Sequence, residues 1–188
     1  MIQFDKYLPL KQLLEWNIEF DLNLSTKSLK KGEFLLKSGQ PCDYLYFIMT
    51  GFIRTYYYDI NGNEMTHIFA MKNSITTSPF SFLLKEENIL YLQALEDTEL
   101  VLITYEQLNH IIQKVPSSGE SIRNIYMEFG MLMSRRIMSI HTETAETRYL
   151  NLIKNYPYIF QQAKLSHIAS YLGITIQSLS RIRKQINA

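Results

Sequence analysis

The residues best suited to chemistry lie near the carboxyl end of the chain, where hydrogen-bond donors and cations follow one another closely. The segment from Thr175 to Lys184 offers amide, hydroxyl, guanidinium and ammonium groups and contains no carboxylate. Such donors recognise base edges and phosphates, whereas a carboxylate among them would repel the backbone of a nucleic acid. The candidate DNA-binding residues are Thr175, Gln177, Ser178, Ser180, Arg181, Arg183 and Lys184.

The distribution of charge along the chain favours the same chemistry. The last 42 residues contain six Lys or Arg and no Asp or Glu, whereas the first 146 residues contain 13 basic and 18 acidic residues. The net charge of +1 therefore combines an acidic body with a basic end. This asymmetry indicates a nucleic-acid partner for the basic end.

A helix-turn-helix pattern is the element that would position these donors. Apolar residues at helical spacing from Leu165 to Leu172 predict a first helix, which Gly173 ends where a left-handed conformation is required. Thr175 can cap the second helix, and Leu179 and Ile182 would hold that helix down. The polar side of the second helix then faces outward, as entry into a DNA major groove requires. The alternative is an ordinary helical hairpin with a solvated basic face.

The body of the chain, from about residue 29 to 103, consists of short runs rich in aromatic and branched residues, separated by turn residues. Asn61-Gly62 is the strongest hairpin signal. Such spacing predicts a small antiparallel roll or jelly roll, with a loose helical lead-in over residues 1 to 25. A capping box at Thr104 then opens a helix that reaches about Lys114. The predicted fold class is α+β.

A long helix is predicted from about Glu120 to His141. Its apolar residues recur at three- and four-residue steps, as in a coiled-coil seam, and the helix is longer than a small roll can cover. We therefore expect a homodimer that sets two helix-turn-helix units side by side. The candidate interface residues are Ile122, Ile125, Phe129, Met133 and Ile140. The predicted domains are residues 1–116 for the roll, 117–145 for the dimerisation helix and 146–188 for the helix-turn-helix.

Composition excludes several other classes of protein. The 188 residues are 46% hydrophobic and 20% charged, which is ordinary for a globular protein. No run approaches the roughly 18 to 20 apolar residues of a membrane span, and no signal-peptide pattern opens the chain, so we expect a cytoplasmic protein. The single cysteine, Cys42, cannot form an internal disulfide or supply an iron–sulfur cluster, and we expect it to be a small buried or turn residue.

Neither an enzyme site nor a metal site is predicted, and no cofactor is expected. The four histidines are isolated along the chain. Glu64 and His67 share a predicted strand, but their odd spacing places them on opposite faces, so we expect His67 to be a surface or edge residue. A haem sensor and a ligand-binding roll protein without a DNA role remain alternatives, and the acid-free helix-turn-helix disfavours the second.

The order of a roll, a long helix and a terminal helix-turn-helix resembles the Crp/Fnr family, the cyclic-AMP receptor proteins and their relatives, over nearly the whole chain. The motifs that carry the resemblance are Lys31-Gly32-Glu33, Gly39, Leu45 to Ile48 with Gly51, the hairpin Asp59 to Glu64, and in the tail His167 to Thr175 and Leu179 to Arg183. The resemblance implies a dimeric, sequence-specific transcription regulator in which Gln177, Ser178 and Arg181 face bases and nearby phosphates. Its implied partners are double-stranded DNA and a second copy of the chain, with RNA polymerase and a small apolar effector as further candidates.

The sensor departs from the family pattern. Members that bind a cyclic nucleotide use a Gly-Glu pair and an Arg followed by Ser or Thr, and the stretch from Asn73 to Leu95 contains neither. Because a buried phosphate needs a cation or a nest of free amides, control by cyclic AMP is not expected. The stretch instead predicts an apolar pocket for a small molecule, or no ligand at all. The candidate pocket residues are Ser78, Phe80, Ser81, Phe82, Tyr91 and Tyr126.

Overall fold

The computed structural model describes residues 10–186, apart from the side chains of Leu10, Pro116 and Ser117. The helices in this range are α1 (Leu10–Glu19), α2 (Pro79–Leu84), α3 (Tyr105–Lys114), α4 (Pro116–Thr142), α5 (Ala145–Asn155), α6 (Pro157–Gln162), α7 (Leu165–Leu172) and α8 (Ile176–Ile186). The strands are β1 (Ser25–Leu29), β2 (Phe34–Leu36), β3 (Tyr44–Thr50), β4 (Phe52–Tyr58), β5 (Glu64–Met71), β6 (Ile75–Thr76), β7 (Tyr91–Ala94) and β8 (Thr98–Thr104). None of these helices is long and apolar enough to span a membrane.

The strands form two antiparallel four-stranded sheets, which confirms the predicted roll and the α+β class. One sheet has the order β1-β8-β3-β6 and the other the order β2-β7-β4-β5. Their inner side chains make one core, in which Phe47, Ile53 and Leu100 are completely buried. Strand β5 lies at the edge of its sheet, so it needs a partner for its outward-facing backbone groups.

Local turn chemistry produces the hairpin between β4 and β5, as the sequence predicts. The Asp59 carboxylate accepts hydrogen bonds from the backbone N–H groups of Asn61 and Asn63, at 2.8 and 2.9 Å. Gly62 supplies the positive φ of +78° that a side chain would resist. A second glycine is required for another reason: a Cβ on Gly51 would lie 2.2 Å from the Thr98 Oγ1.

Thr104 and Pro116 mark where the two helices after the roll begin. Thr104 caps α3 in a reciprocal capping box with Gln107, as predicted. Helix α4 begins at Pro116 and not near Glu120, because proline is well suited to the first turn of a helix. Ser118, in the first turn of α4, donates its hydroxyl to the carbonyls of Ile111 and Val115.

The carboxyl-terminal unit packs directly on the roll. Helices α5 to α8 share a core that includes Tyr149, Ile159 and Leu179, and this core continues into β4 and β5. The ring of Phe52 stacks on Phe69 at 5.5 Å between centroids. The same Phe52 ring meets the ring of Tyr158 edge-on at 5.7 Å. The roll therefore fixes the placement of the helix-turn-helix within one protomer.

Candidate DNA-binding surface and effector cavity

The turn of the helix-turn-helix forms as the sequence predicts. Gly173 ends α7 in the left-handed conformation, with φ +70°. The Ile174 N–H donates to the Ala169 carbonyl at 3.0 Å, and this carbonyl near the end of α7 thereby gains a partner. Thr175 then caps α8 by accepting from the Ser178 N–H at 3.1 Å. These local bonds orient α8 relative to α7.

Helix α8 separates an apolar face from a polar face. Leu179 and Ile182 are buried against α7, and Gln177, Ser180, Arg181 and Lys184 are exposed. Ser178 and Arg183 are only half-buried, whereas Thr175 is exposed but holds its hydroxyl against that of Ser178 at 3.0 Å. The exposed face thus offers an amide, a hydroxyl and two cations, all of which donate hydrogen bonds.

One of the six cations of the basic tail performs a structural role. Arg148, on α5, donates through Nε to the Leu172 carbonyl at 3.1 Å and through Nη1 to the Glu143 carbonyl at 2.6 Å. Its guanidinium therefore ties the end of α7 to the junction between α4 and α5. Arg148 is one of the six cations of the basic end, and composition does not distinguish such a tethered cation from a free one.

Helix α7 docks on the outer edge of β5 through polar contacts that no local sequence pattern predicts. The Thr66 N–H donates to the Ser170 Oγ at 2.7 Å, and the Ser170 hydroxyl donates to the Glu64 carbonyl at 2.8 Å. The Thr66 hydroxyl also donates to the His167 carbonyl at 3.0 Å. The Ser170 side chain thus satisfies two outward-facing backbone groups of β5, as a neighbouring strand would do.

A buried arginine supports this docked edge from inside. Arg54, on β4, is 1% exposed, and its guanidinium donates to the Thr66 hydroxyl at 2.9 Å and to the Glu64 carboxylate at 2.5 Å. His167 lies 3.9 Å from the same carboxylate. Burial, assisted by the positive charge of Arg54, lowers the pKa of His167 to about 4, so this imidazole is neutral at pH 7.

A second arginine, Arg136 on α4, links three elements. It donates to the backbone carbonyls of His67, Thr66 and Tyr171, the last two at 3.0 and 3.1 Å. Its guanidinium carbon also lies 4.4 Å from the centroid of the Tyr171 ring. This set of contacts, which we term the Arg136 clamp, joins the long helix α4 to the edge strand β5 and to the end of α7.

A cavity of about 270 Å³ lies between the roll, α4 and α7. The residues that line it are Leu45, Thr55, His67, Ile68, Phe69, Ala70, Ser74, Ile75, Thr76, Thr77, Pro79, Leu83, Ile125, Tyr126, Phe129, Leu132 and Tyr171. None of these lining residues is Asp, Glu, Lys or Arg. The cavity is therefore apolar, with a few hydroxyl groups and one imidazole.

His67 lies on the edge strand β5, within the expectation of a surface or edge residue, and it faces this cavity. It is half-buried, because the pairing of β4 with β5 shifts register between Thr55 and Tyr56 and passes over His67. The extra residue breaks the strict alternation of faces on which the sequence argument relied. Burial, with the nearby charge of Arg136, lowers the pKa of His67 to about 4.

Comparison with known proteins agrees with this architecture. A family model described as a cyclic nucleotide-binding domain matches residues 26–115. The transcriptional activator protein Anr of Pseudomonas protegens is 24% identical over 167 residues, which cover 83% of this chain and 68% of Anr. The chain is thus similar to regulators of the Crp/Fnr type over most of its length.

Two solved structures show the Crp/Fnr fold at low sequence identity. FixK2 from Bradyrhizobium japonicum has a TM-score of 0.74 at 17% identity, with 87% of this chain and 84% of FixK2 covered. A crp/fnr family regulator from Eubacterium rectale has a TM-score of 0.72 at 20% identity, with 97% and 88% covered.

The predicted pocket residues are corrected for five of the six positions. Tyr126 lines the cavity, but Ser78, Phe80, Ser81, Phe82 and Tyr91 do not. Helix α2 directs Pro79 and Leu83 toward the cavity, since residues four apart share a helix face.

The five remaining residues have other environments. Phe82 is buried in the roll core, whereas Phe80 is 60% exposed. Ser81 accepts the Cys42 N–H at 3.0 Å, and Ser78 is buried at the amino end of α2. Tyr91 lies on β7, away from the cavity lining, where its ring stacks on Tyr56 at 5.1 Å.

Three of the five predicted interface residues pack within their own protomer. Ile125 is 4% exposed and belongs to the core of its own protomer, and Ile122 and Phe129 pack against that core. Met133 is half-buried and Ile140 is exposed. The wide apolar face found in the sequence is thus mainly the face that α4 presents to its own roll.

A different face of α4 is left exposed. It carries Met127, Met131, Ser134, Met138 and His141, which are separated by alternating steps of four and three residues. This is the spacing of a coiled-coil seam, and we call this face the α4 seam.

No metal centre is evident in the described part of the chain, where no three His, Cys, Asp or Glu side chains come together. Cys42 is buried, as expected, and its Sγ lies 3.4 Å from the Tyr44 carbonyl and 3.3 Å from the Thr77 hydroxyl.

Proposed function

We propose that this chain is a dimeric, sequence-specific DNA-binding regulator of transcription that acts in the cytoplasm and has no enzymatic role. Its partners would be double-stranded DNA, a second copy of the chain and RNA polymerase. The observation that carries the proposal is the exposed face of α8, which presents Gln177, Ser180, Arg181 and Lys184. No Asp or Glu lies near these residues in the sequence. The naming of Anr as a transcriptional activator supports the same function.

The α8 face suits a major groove because some of its donors can contact bases and others can contact the phosphate backbone. Arg181 can bond a guanine through two nitrogens or hold a phosphate at the groove edge. Gln177, one turn earlier on the same face, can pair with an adenine. Lys184 lies toward the end of α8 and is suited to the phosphate backbone. Arg183 is half-buried, which limits it to a backbone contact near the edge of the helix.

Selection of duplexes from a random pool, followed by salt-titrated binding to the selected sequence, tests this proposal. We expect Arg181→Ala to weaken binding by roughly 1 to 3 kcal/mol and to relax the preference at one base pair if Arg181 contacts a base. Lys154→Ala is the matched control, since Lys154 is an exposed cation of the same basic tail but lies on α5. Selection of no preferred sequence, or equal losses in the two variants, would refute sequence-specific binding through α8.

The α4 seam supports the dimeric part of the proposal. Two copies joined along parallel seams would place their α8 helices on the same side of the assembly. A dimer of helix-turn-helix units binds half-sites about 34 Å apart on one face of the DNA. The preferred sequence is therefore expected to be an inverted repeat.

The cavity supports a small, uncharged, apolar effector. A cyclic nucleotide would bury a phosphate, and the lining residues supply no cation to offset its desolvation. The neutral His67 adds one polar group without adding charge. Calorimetry with cyclic AMP and cyclic GMP should detect no binding in the micromolar range. Micromolar binding that also tightens DNA binding would contradict the apolar-effector proposal without affecting the DNA-binding one.

A further inference from the structure

The DNA-binding unit forms part of the cavity wall. Tyr171 belongs to α7, the helix that precedes the recognition helix, and it lines the cavity together with Phe69 from the roll and Leu132 from α4. The rings of Phe69 and Tyr171 are in contact, with centroids 5.2 Å apart. A molecule in this cavity would therefore touch the DNA-binding unit itself, as well as the roll and the long helix.

The Arg136 clamp fixes Tyr171 in that wall. The carbonyl of Tyr171 lies in the last turn of α7, where it has no partner within the helix, and the Arg136 guanidinium supplies one at 3.1 Å. The positive charge also interacts favourably with the negative end of the α7 dipole. Because the same guanidinium bonds the His67 and Thr66 carbonyls, Tyr171 cannot leave the wall unless this arrangement of α4, β5 and α7 is broken.

A displacement of Tyr171 would be transmitted to the recognition helix. Helix α7 and helix α8 share one core, in which Ile168, Leu172 and Leu179 are buried, and only the short turn after Gly173 separates them. Closely packed elements of this kind move as a unit. The donors of α8 therefore follow the position of Tyr171.

We propose that Arg136 and Tyr171 couple the filling of the cavity to the position of α8, so that an uncharged apolar molecule bound there regulates DNA affinity. This inference rests on the proposed DNA-binding function and names its regulation. A ligand shifts a conformational equilibrium only through different affinities for the two arrangements. Tyr171 provides that difference, because a bound molecule contacts its ring only while α7 is docked on the roll.

The experiment uses indole as a small uncharged aromatic probe, and the variant Leu83→Trp to fill the cavity from α2 without any added ligand. Calorimetry measures indole binding, and operator affinity is measured with and without indole. Coupling between two sites changes affinity by typically about 5- to 150-fold, and we expect a change in that range for the wild type. If indole does not bind, Leu83→Trp alone must produce the change.

Two arginine variants identify the route of coupling. Arg136→Lys keeps the charge but lacks the planar fork whose separate nitrogens reach the three carbonyls. It should therefore still bind indole within about twofold of wild type while losing most of the effect on operator affinity. Arg135→Lys is the matched control, because Arg135 is the exposed neighbour on the same helix, and it should behave as wild type. Tyr171→Phe, which keeps the ring, should retain the coupling, and Tyr171→Ala should lose it.

Two results would overturn the coupling: an undiminished effect in Arg136→Lys, or a wild-type operator affinity that neither indole nor Leu83→Trp alters. Failure of the DNA-binding proposal would be recognised separately, as absence of a preferred duplex for the wild type. Hydrogen exchange of the α7 amides then tests the coupling in the absence of DNA. When indole or Leu83→Trp fills the cavity, hydrogen exchange of the α7 amides should slow in the wild-type background and should not change in the Arg136→Lys background. An equal slowing in the two backgrounds would refute the role of the Arg136 clamp.

Discussion

The α4 seam gives the sharpest prediction, because its exposure sets the size of the effect. Met127 is 58% exposed and Met131 is 49% exposed. Full burial of a methionine side chain stabilises by about 2 kcal/mol, so covering the exposed half of each contributes about 1 kcal/mol. In a symmetric dimer four such side chains contribute about 4 kcal/mol, which corresponds to roughly a thousandfold in the dimer dissociation constant. The double variant Met127→Glu/Met131→Glu should lose at least this much, since it also brings carboxylates into the interface.

Sedimentation equilibrium over a range of concentrations measures the dissociation constant directly. The matched control is Ile60→Glu, which removes a fully exposed apolar residue at the hairpin tip, 101% exposed, and should leave the dimer unchanged. Circular dichroism should show both variants folded, since neither methionine belongs to a core. A double variant that dimerises as tightly as the wild type would exclude the α4 seam as the interface.

Three further predictions test the interface with DNA, the two histidines whose pKa is lowered, and the roll. Lys184→Ala should weaken binding to all duplexes alike and reduce the slope of log affinity against log salt by about one, and a loss confined to one sequence would contradict a backbone role. The pKa values of His67 and His167 are lowered to about 4 in the folded chain from about 6.5 unfolded, so only the unfolded state gains protons as pH falls between these values. In urea titrations the free energy of unfolding should be constant above pH 6.5 and should fall below it by up to about 1.4 kcal/mol per pH unit per histidine, with His167→Gln removing its share; stability that does not change between pH 7 and 5 would refute this. Gly51→Ala should lower the free energy of unfolding by about 2 to 5 kcal/mol, because Gly51 has a positive φ and its new Cβ would clash with the buried Thr98. Gly62→Ala also places a Cβ at positive φ but in open space, so it should cost about 1 kcal/mol. Equal losses in the two variants would contradict the clash at Gly51.

Features governed by neighbouring residues could be predicted from the sequence. Gly173 and Thr175 specify the turn of the helix-turn-helix, since one allows the left-handed residue and the other caps the next helix. The hairpin at Gly62 and the capping box at Thr104 are equally local. Each depends on conformational preferences within about four residues, which a single sequence displays in full.

The direction in which α4 faces could not be predicted from its apolar spacing alone. The helix has two apolar faces, and the wider one, which includes Ile125 and Phe129, packs on its own roll. The narrower one is the α4 seam. A search for alternating steps of four and three residues would have found Met127, Met131 and Met138, but only the structure shows which face remains uncovered.

Arg54 and Arg136 show how this chain uses its cations where the sensor departs from the family pattern. The stretch from Asn73 to Leu95, where relatives that bind a cyclic nucleotide carry a phosphate-binding arginine, contains none. Arg54 and Arg136 lie elsewhere, and both are used within the protein: Arg54 bonds the Thr66 hydroxyl and a carboxylate, and Arg136 bonds backbone carbonyls. Their partners are far away in sequence, so no local pattern reveals them. Because burying a guanidinium without partners is costly, each fixes the elements that it joins. Cations that could neutralise a ligand instead hold the DNA-binding unit on the roll, and the uncharged cavity beside them is left to apolar chemistry.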